Sequence, residues 1–211
     1  DFVCEHAAYD KNGICLICKY ECLHESLTGS ICDVCKYECT HSTVLDSCCT
    51  LCGMEGNVSY RHLEWNEASK QVDESYRLAV ATSMTSTMTS LSTGWYIVDS
   101  DLTISSRINI TGDVKLILTD GCSLTATEGI TVDSGNSLTV FGQDEGTGTL
   151  SATGSGTNSG IGGSQGASSN LNNTGTIIIN GGYVTAVGSV AANGIFGGAG
   201  IGGSYLCNGG T

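Results

Sequence analysis

From Trp95 onward the apolar residues arrive in short bursts, each flanked by Gly, Asn, Asp, Ser or Thr. Bursts begin at Ile108 (INI), Leu116 (LIL) and Leu124 (LTA), and again at Ile130 (ITV), Leu138 (LTV) and Leu150 (LSA). A third round reads GIGG from Gly160, TIII from Thr176 and YVTA from Tyr183; a fourth opens with GIGG at Gly200. In the first two rounds consecutive bursts lie eight residues apart with one exception, and the second round follows the first at a shift of 22. An internal period of this length is the mark of stacked repeats. Three short strands per round, joined by turns, predict a right-handed parallel β-helix over residues 94–211, with each round one rung.

Alternation then assigns the faces. In a strand, neighbouring side chains point to opposite sides, so the first and third residues of each burst share one face. That face is the interior, and it holds Ile108 and Ile110, Leu116 and Leu118, and Ile177 and Ile179. Rungs stacked about 4.8 Å apart bury these residues in a column and pair each strand with the rungs on either side. The turns TGD, TDG, DSGN and INGG carry residues that tolerate left-handed dihedrals. GIGG is expected to let the backbone bend tightly or the rungs approach closely. It is not a phosphate loop, because no helix or Lys follows it. Inserts fall at corners: after Phe141, after Ala152, between Gly163 and Thr176, and after Ala186. The last of these rounds stops short of a full set of strands, so its edge is expected to be capped or paired. Head-to-tail pairing with another copy would give a fibre.

The first 56 residues follow a different logic. Cys-x-His followed by Cys-x-x-Cys occurs three times, at a period of 18 and then 17. The sets are Cys4, His6, Cys15 and Cys18; Cys22, His24, Cys32 and Cys35; and Cys39, His41, Cys49 and Cys52. CKYEC joins the units twice. Three Cys and one His per unit is the donor set of a closed tetrahedral zinc site, in which the metal is structural and has no open position for water. Units this small lack a core, and zinc supplies folding energy on the order of 10 kcal/mol. The alternative is a disulfide framework, since the chain has 12 Cys. Disulfides do not account for three His at one fixed offset. Three structural zinc ions are therefore expected, with Cys48, Cys122 and Cys207 outside the ligand sets. The isolated His62 reads as an ordinary surface residue.

Residues 57–93 join the two. VSYRHLEWNEASKQVDESYRLAV alternates apolar and polar residues around a polar centre, which predicts a β-hairpin turning near Asn66–Lys70. TSMTSTMTSLST follows, open between linker, strand and short capping helix: Met84, Met88 and Leu91 have helical spacing, but Ser and Thr are poor helix formers. The whole chain is mainly β, as a small Cys/His repeat region (1–56), a hairpin with a Ser/Thr-rich linker (57–93) and the rungs (94–211).

Charge narrows the partners. The formal net charge is -13, with only eight Lys and Arg. Such a surface opposes nucleic acid, which needs basic residues, and anionic lipid alike. No apolar run approaches the roughly 20 residues of a membrane span. With 30 Gly, no Pro and 14 % charged residues, the usage is that of an exported, elongated β protein.

The segment from GWYIVDSDLTISSRINITGDVKLILTDG to DEGTGTLSATG, with the later GIGG units, resembles a family of surface proteins of gut Gram-positive bacteria. The resemblance covers about residues 92–211. It implies pectate-lyase-like β-helices with adhesin-like or carbohydrate-binding roles, and an extracellular or cell-surface location. The Cys/His head looks like the zinc-ribbon-like repeats that precede some members.

A lyase on such a scaffold would need an Arg or Lys base and clustered carboxylates for Ca²⁺. The bases on offer are Arg107 and Lys115, and the acids Asp113, Asp120, Asp133, Asp144 and Glu145 are mostly turn residues. Asp113 and Asp133 on neighbouring rungs give at most a weak Ca²⁺ site. The expected role is non-catalytic: a secreted or surface structural protein that adheres or self-assembles, its partner another copy of itself or a surface glycan. A carbohydrate-binding module is the alternative, and polysaccharide cleavage ranks below both.

Overall fold

The computed structural model describes residues 56–164, 173–190, 196–205 and 207–210, and the backbone of four two-residue strands nearer the start of the chain. Among the described residues every regular element is a strand. The chain forms two units, Asp1–Val80 and Ala81–Thr211.

In the first unit, β1 (Leu27–Thr28) pairs antiparallel with β2 (Ile31–Cys32), and β3 (Val44–Leu45) with β4 (Cys48–Cys49). The two pairs occupy equivalent places in the second and third sequence repeats: Leu27 matches Cys32 as Val44 matches Cys49. Cys4, His6, Cys15, Cys18, Cys22, His24, Cys35, Cys39, His41 and Cys52 lie outside the described residues.

The hairpin forms where the alternation places it, as β5 (Val58–Asn66) and β6 (Gln71–Ala79) in unbroken register. Asn66 builds the turn: its Oδ1 accepts from the N–H groups of Ala68 (3.0 Å) and Ser69 (3.1 Å). Lys70, at φ 56°, closes it, and its N–H donates to the Asn66 carbonyl at 2.8 Å. Val58, Tyr60 and Ala79 are buried on one face. At the turn end, the directly opposed Trp65 and Val72 are both exposed.

The second unit stacks parallel strands in three columns. Its strands are β7 (Thr82–Ser83), β8 (Ser90–Val98), β9 (Leu102–Ile104), β10 (Ile108–Leu118), β11 (Ser123–Ala126), β12 (Ile130–Thr131), β13 (Ser137–Gly142), β14 (Thr149–Thr153), β15 (Ile161–Gly162), β16 (Thr176–Ile179), β17 (Tyr183–Val187) and β18 (Ile201–Gly202). The first column runs from the start of β8 through the start of β10 to β12, β15 and β18. The second runs from the end of β8 through the end of β10 to β13 and β16. The third is β9, β11, β14 and β17. β10 belongs to two columns because it kinks between Thr111 and Val114, where its register against β8 shifts. Gly112 makes the kink. Its φ is 78°, and a Cβ there would meet Thr93 Oγ1 at 2.1 Å.

Every burst recognised in the sequence lies on or beside one of these columns, but the register is not uniform. The expected shift of 22 holds in the first column, where Ile108 opposes Ile130. In the second column Val114, not Leu116, opposes Leu138, a shift of 24. In the third, Leu124 opposes Leu150, a shift of 26, as the positions of those two bursts place it. Within each pairing a slip of one residue would turn the inward face outward. Ile108, Leu116, Leu118, Leu124, Leu138 and Leu150 are each at most 1 % exposed. Burying such a side chain contributes about 1.5–3 kcal/mol.

The Ser/Thr-rich stretch is strand and turn. β7 pairs in parallel with β8, and Met84 and Leu91 are buried in the core with Met88 packed against it.

Candidate functional site

The chemistry-bearing side chains of the second unit lie at the corners between columns, where successive rounds meet. Arg107, just before β10, is the clearest case. Its Nε donates to Thr131 Oγ1 (2.7 Å), its Nη1 to the carbonyls of Glu128 (2.8 Å) and Ser159 (2.9 Å), and its Nη2 to the carbonyl of Ile130 (3.1 Å) and to Ser159 Oγ (3.4 Å). A guanidinium has five N–H donors, and all five meet an acceptor on the next two rounds. Burial pulls the Arg107 pKa below its usual value, while the charges of Asp133 and Glu128 oppose the shift. The group remains a cation with no donor left over for a substrate.

The acids repeat this pattern. Asp101 Oδ1 accepts from the N–H (2.9 Å) and hydroxyl (2.7 Å) of Ser123. Asp113 accepts from Ser137 Oγ at 2.7 Å and from the Lys115 ammonium on its own strand. These two partners, Lys115 first, hold its carboxyl below the usual range. Asp120 accepts from the N–H groups of Glu145 (2.8 Å) and Thr147 (2.9 Å). Asp133 accepts from the Ser164 N–H at 2.7 Å and from its hydroxyl. Each bonds one round forward. Asp113 and Asp133 do lie on successive rounds, as expected, but each serves its own junction. Among the described residues no three His, Cys, Asp or Glu side chains converge into a group able to hold a metal.

Sequence reasoning missed a buried polar seam at the same corner as Arg107. Ser159 is fully buried and Ser204 nearly so. The Ser159 N–H donates to Ser204 Oγ at 2.8 Å, and both hydroxyls donate to the Gly163 carbonyl. The Gly163 N–H in turn donates to the buried Thr174 Oγ1 at 3.1 Å. The one available signal was Ser recurring beside GIGG, at Ser159, Ser164 and Ser204.

GIGG proves to be a close-approach element. Gly162 and Gly202 are stacked partners, and a Cβ on Gly162 would lie 1.8 Å from the Gly202 carbonyl oxygen.

Two aromatic pairs and one exposed ring lie away from the interior of the columns. On the outward side of the second column Trp95 stacks on Phe141 with ring centroids 5.4 Å apart, and Lys115 Nζ sits 5.7 Å from the Trp95 centroid. Phe196 and Tyr205 form a second ring pair at 4.3 Å, and Tyr183 is 66 % exposed. Cys122 and Cys207 are free thiols. Burial first, then Asp101 and Asp99, raises the Cys122 pKa, which opposes thiolate chemistry. His62, on β5, is half-buried, and its Nε2 lies 3.8 Å from Glu64; burial, then Arg77, lowers its pKa.

No family model matches the chain, and neither does any curated protein or solved structure.

Proposed function

We propose that the second unit winds as a right-handed parallel β-helix and that the chain is a non-catalytic structural protein of the cell surface or its exterior, acting in adhesion or assembly. The observation that carries this reading is how the polar groups are used. Arg107 and four Asp side chains, Asp101, Asp113, Asp120 and Asp133, hold one round to the next, with hydrogen bonds that a catalytic acid or base would have to give up. In this proposal the head is a metal-folded module of three structural zinc sites, formed by Cys4, His6, Cys15 and Cys18; Cys22, His24, Cys32 and Cys35; and Cys39, His41, Cys49 and Cys52. Closed Cys₃His sites supply folding energy and no reactive position. The matching strand pairs at Cys32 and Cys49 support a repeated module.

One observation favours a second reading, the carbohydrate-binding module. Exposed aromatic faces suit sugar rings, and Tyr183, with the Phe196–Tyr205 pair, supplies them. Two assays test both readings. The purified chain is incubated with anionic and neutral polysaccharides, and new reducing ends and unsaturated products are measured; none is expected. Turnover that disappears in an Arg107 or Lys115 variant sinks the non-catalytic reading. A glycan array is then probed, and selective binding lost in Tyr183→Ala replaces assembly with sugar recognition.

A further inference from the structure

The outer face of the third column carries a pattern that the proposed role does not use. Its inward positions Ile104, Leu124, Ala126, Leu150 and Ala152 are at most 1 % exposed, so the alternate residues face out. Along one outward row the pairing sets Thr103, Thr125, Ser151 and Thr185 side by side on four strands. A second row aligns Ser123, Thr149 and Tyr183, and beyond the first row Thr153 stands opposite Val187. All but Tyr183 and Val187 are Ser or Thr. The register is unbroken from β9 to β17, which keeps the rows straight.

Solvation alone does not require this order. An exposed face needs polar residues, not hydroxyl opposite hydroxyl. The corresponding outward row of the second column is Trp95, Lys115, Thr139 and Ile178, which share no chemistry. Among the described residues the hydroxyls of Thr103, Thr125, Ser151 and Thr185 bond no protein group. Neither row holds a charged side chain, although the chain has a net charge of -13. Asp101, at the margin, is taken up by Ser123.

We propose that this face binds ice. Neighbouring strands lie about 4.8 Å apart, and alternate residues of one strand about 6.6 Å apart. The rows therefore form a rectangular grid of hydroxyls and methyls, whose two repeats are close to those of the oxygen atoms on a prism plane of hexagonal ice. Thr is stiff about χ1, so it holds its place in the grid with little further loss of freedom. The hydroxyls anchor water at lattice positions, and the methyls fill the space between them. A charge would orient water about itself and break the lattice. A sugar is less suited, because the only aromatic platform on these rows is Tyr183, at their edge. The inference goes beyond the structural role and does not rest on it.

Slow growth of ice from a solution of the full chain tests this, by comparing the protein held in the ice with that left in the liquid. The parent should enter the ice and facet single crystals held just below melting. A lysine ammonium keeps its own hydration, so Thr125→Lys should lower incorporation roughly tenfold or more. Thr125→Val removes the hydroxyl, keeps a strand-forming side chain and should fall between the two; it decides the matter should Thr125→Lys fail to fold. Ile178→Lys, at a 46 % exposed outward site of the second column, should match the parent. Exclusion of the parent from ice overturns the proposal, as does a Thr125 variant that folds and enters ice equally well. Round, unshaped crystals together with retention on insoluble neutral glucan, lost in Thr125→Lys, replace ice by a polysaccharide. None of these results bears on whether the chain cleaves polysaccharides, so the two readings fail separately.

Discussion

Removing the Arg107 side chain tests whether polar clasps hold the rounds together. Arg107→Leu keeps the stem and deletes five hydrogen bonds to Thr131, Glu128, Ser159 and Ile130. A hydrogen bond from a charged donor contributes about 1.5–3 kcal/mol when measured singly. The five do not add, because water enters a half-buried site and satisfies some of the stranded carbonyls. Two equivalents at the lower end of that range, about 3–4 kcal/mol, is the reasoned loss, because the site is only half-buried. For a unit of this size that corresponds to a fall in Tm of about 10 °C. Arg107→Lys keeps the charge but not the fork, and a single ammonium cannot reach acceptors on two successive rounds. It should recover less than half of the loss. Thermal melting followed by circular dichroism gives the size of the effect, and hydrogen exchange gives its place. Amides at the corner, such as those of Gly129 and Gly160, should lose protection first. Should Arg107→Leu melt within about 2 °C of the parent, or Arg107→Lys match it, the clasp argument fails.

Three further outcomes follow from the same structure. Gly162→Ala forces a Cβ toward the Gly202 carbonyl oxygen at a φ of 149°, so it should cost about 2–4 kcal/mol by denaturant unfolding and expose β18 to exchange. The Asp113 carboxyl is held below its usual pKa in the folded chain, so its contribution is full above the unfolded value near 3.9 and is lost as pH falls through the folded one. Asp113→Asn should therefore flatten the acid side of the stability–pH curve by under about 1 kcal/mol, because the pair is largely solvated; an unchanged curve would contradict this. Metal analysis should find about three zinc ions per chain, and a chelator should unfold the head without melting the columns; a metal-free chain without titratable head thiols would restore the disulfide alternative.

Much of this architecture was legible because it is local. The period of two in INI, LIL and LTV sets which side chains face inward, and the columns respect it at Ile108, Leu116 and Leu138. The Asn66–Lys70 turn was legible for the same reason: a short side chain that bonds its own backbone writes its preference into neighbouring residues. The tertiary structure decided what depends on distance along the stack. The shift of 24, which sets Leu138 against Val114 and not Leu116, comes from how corner loops close between rounds, and a burst carries no mark of its partner two dozen residues away. The Ser/Thr-rich stretch became strand at its two ends and turn between, because pairing of β7 with β8 and burial of Met84 and Leu91 outweigh weak local propensity. Arg107 looked like a base and became a clasp, since only stacking brings Glu128, Ile130 and Ser159 to its five donors.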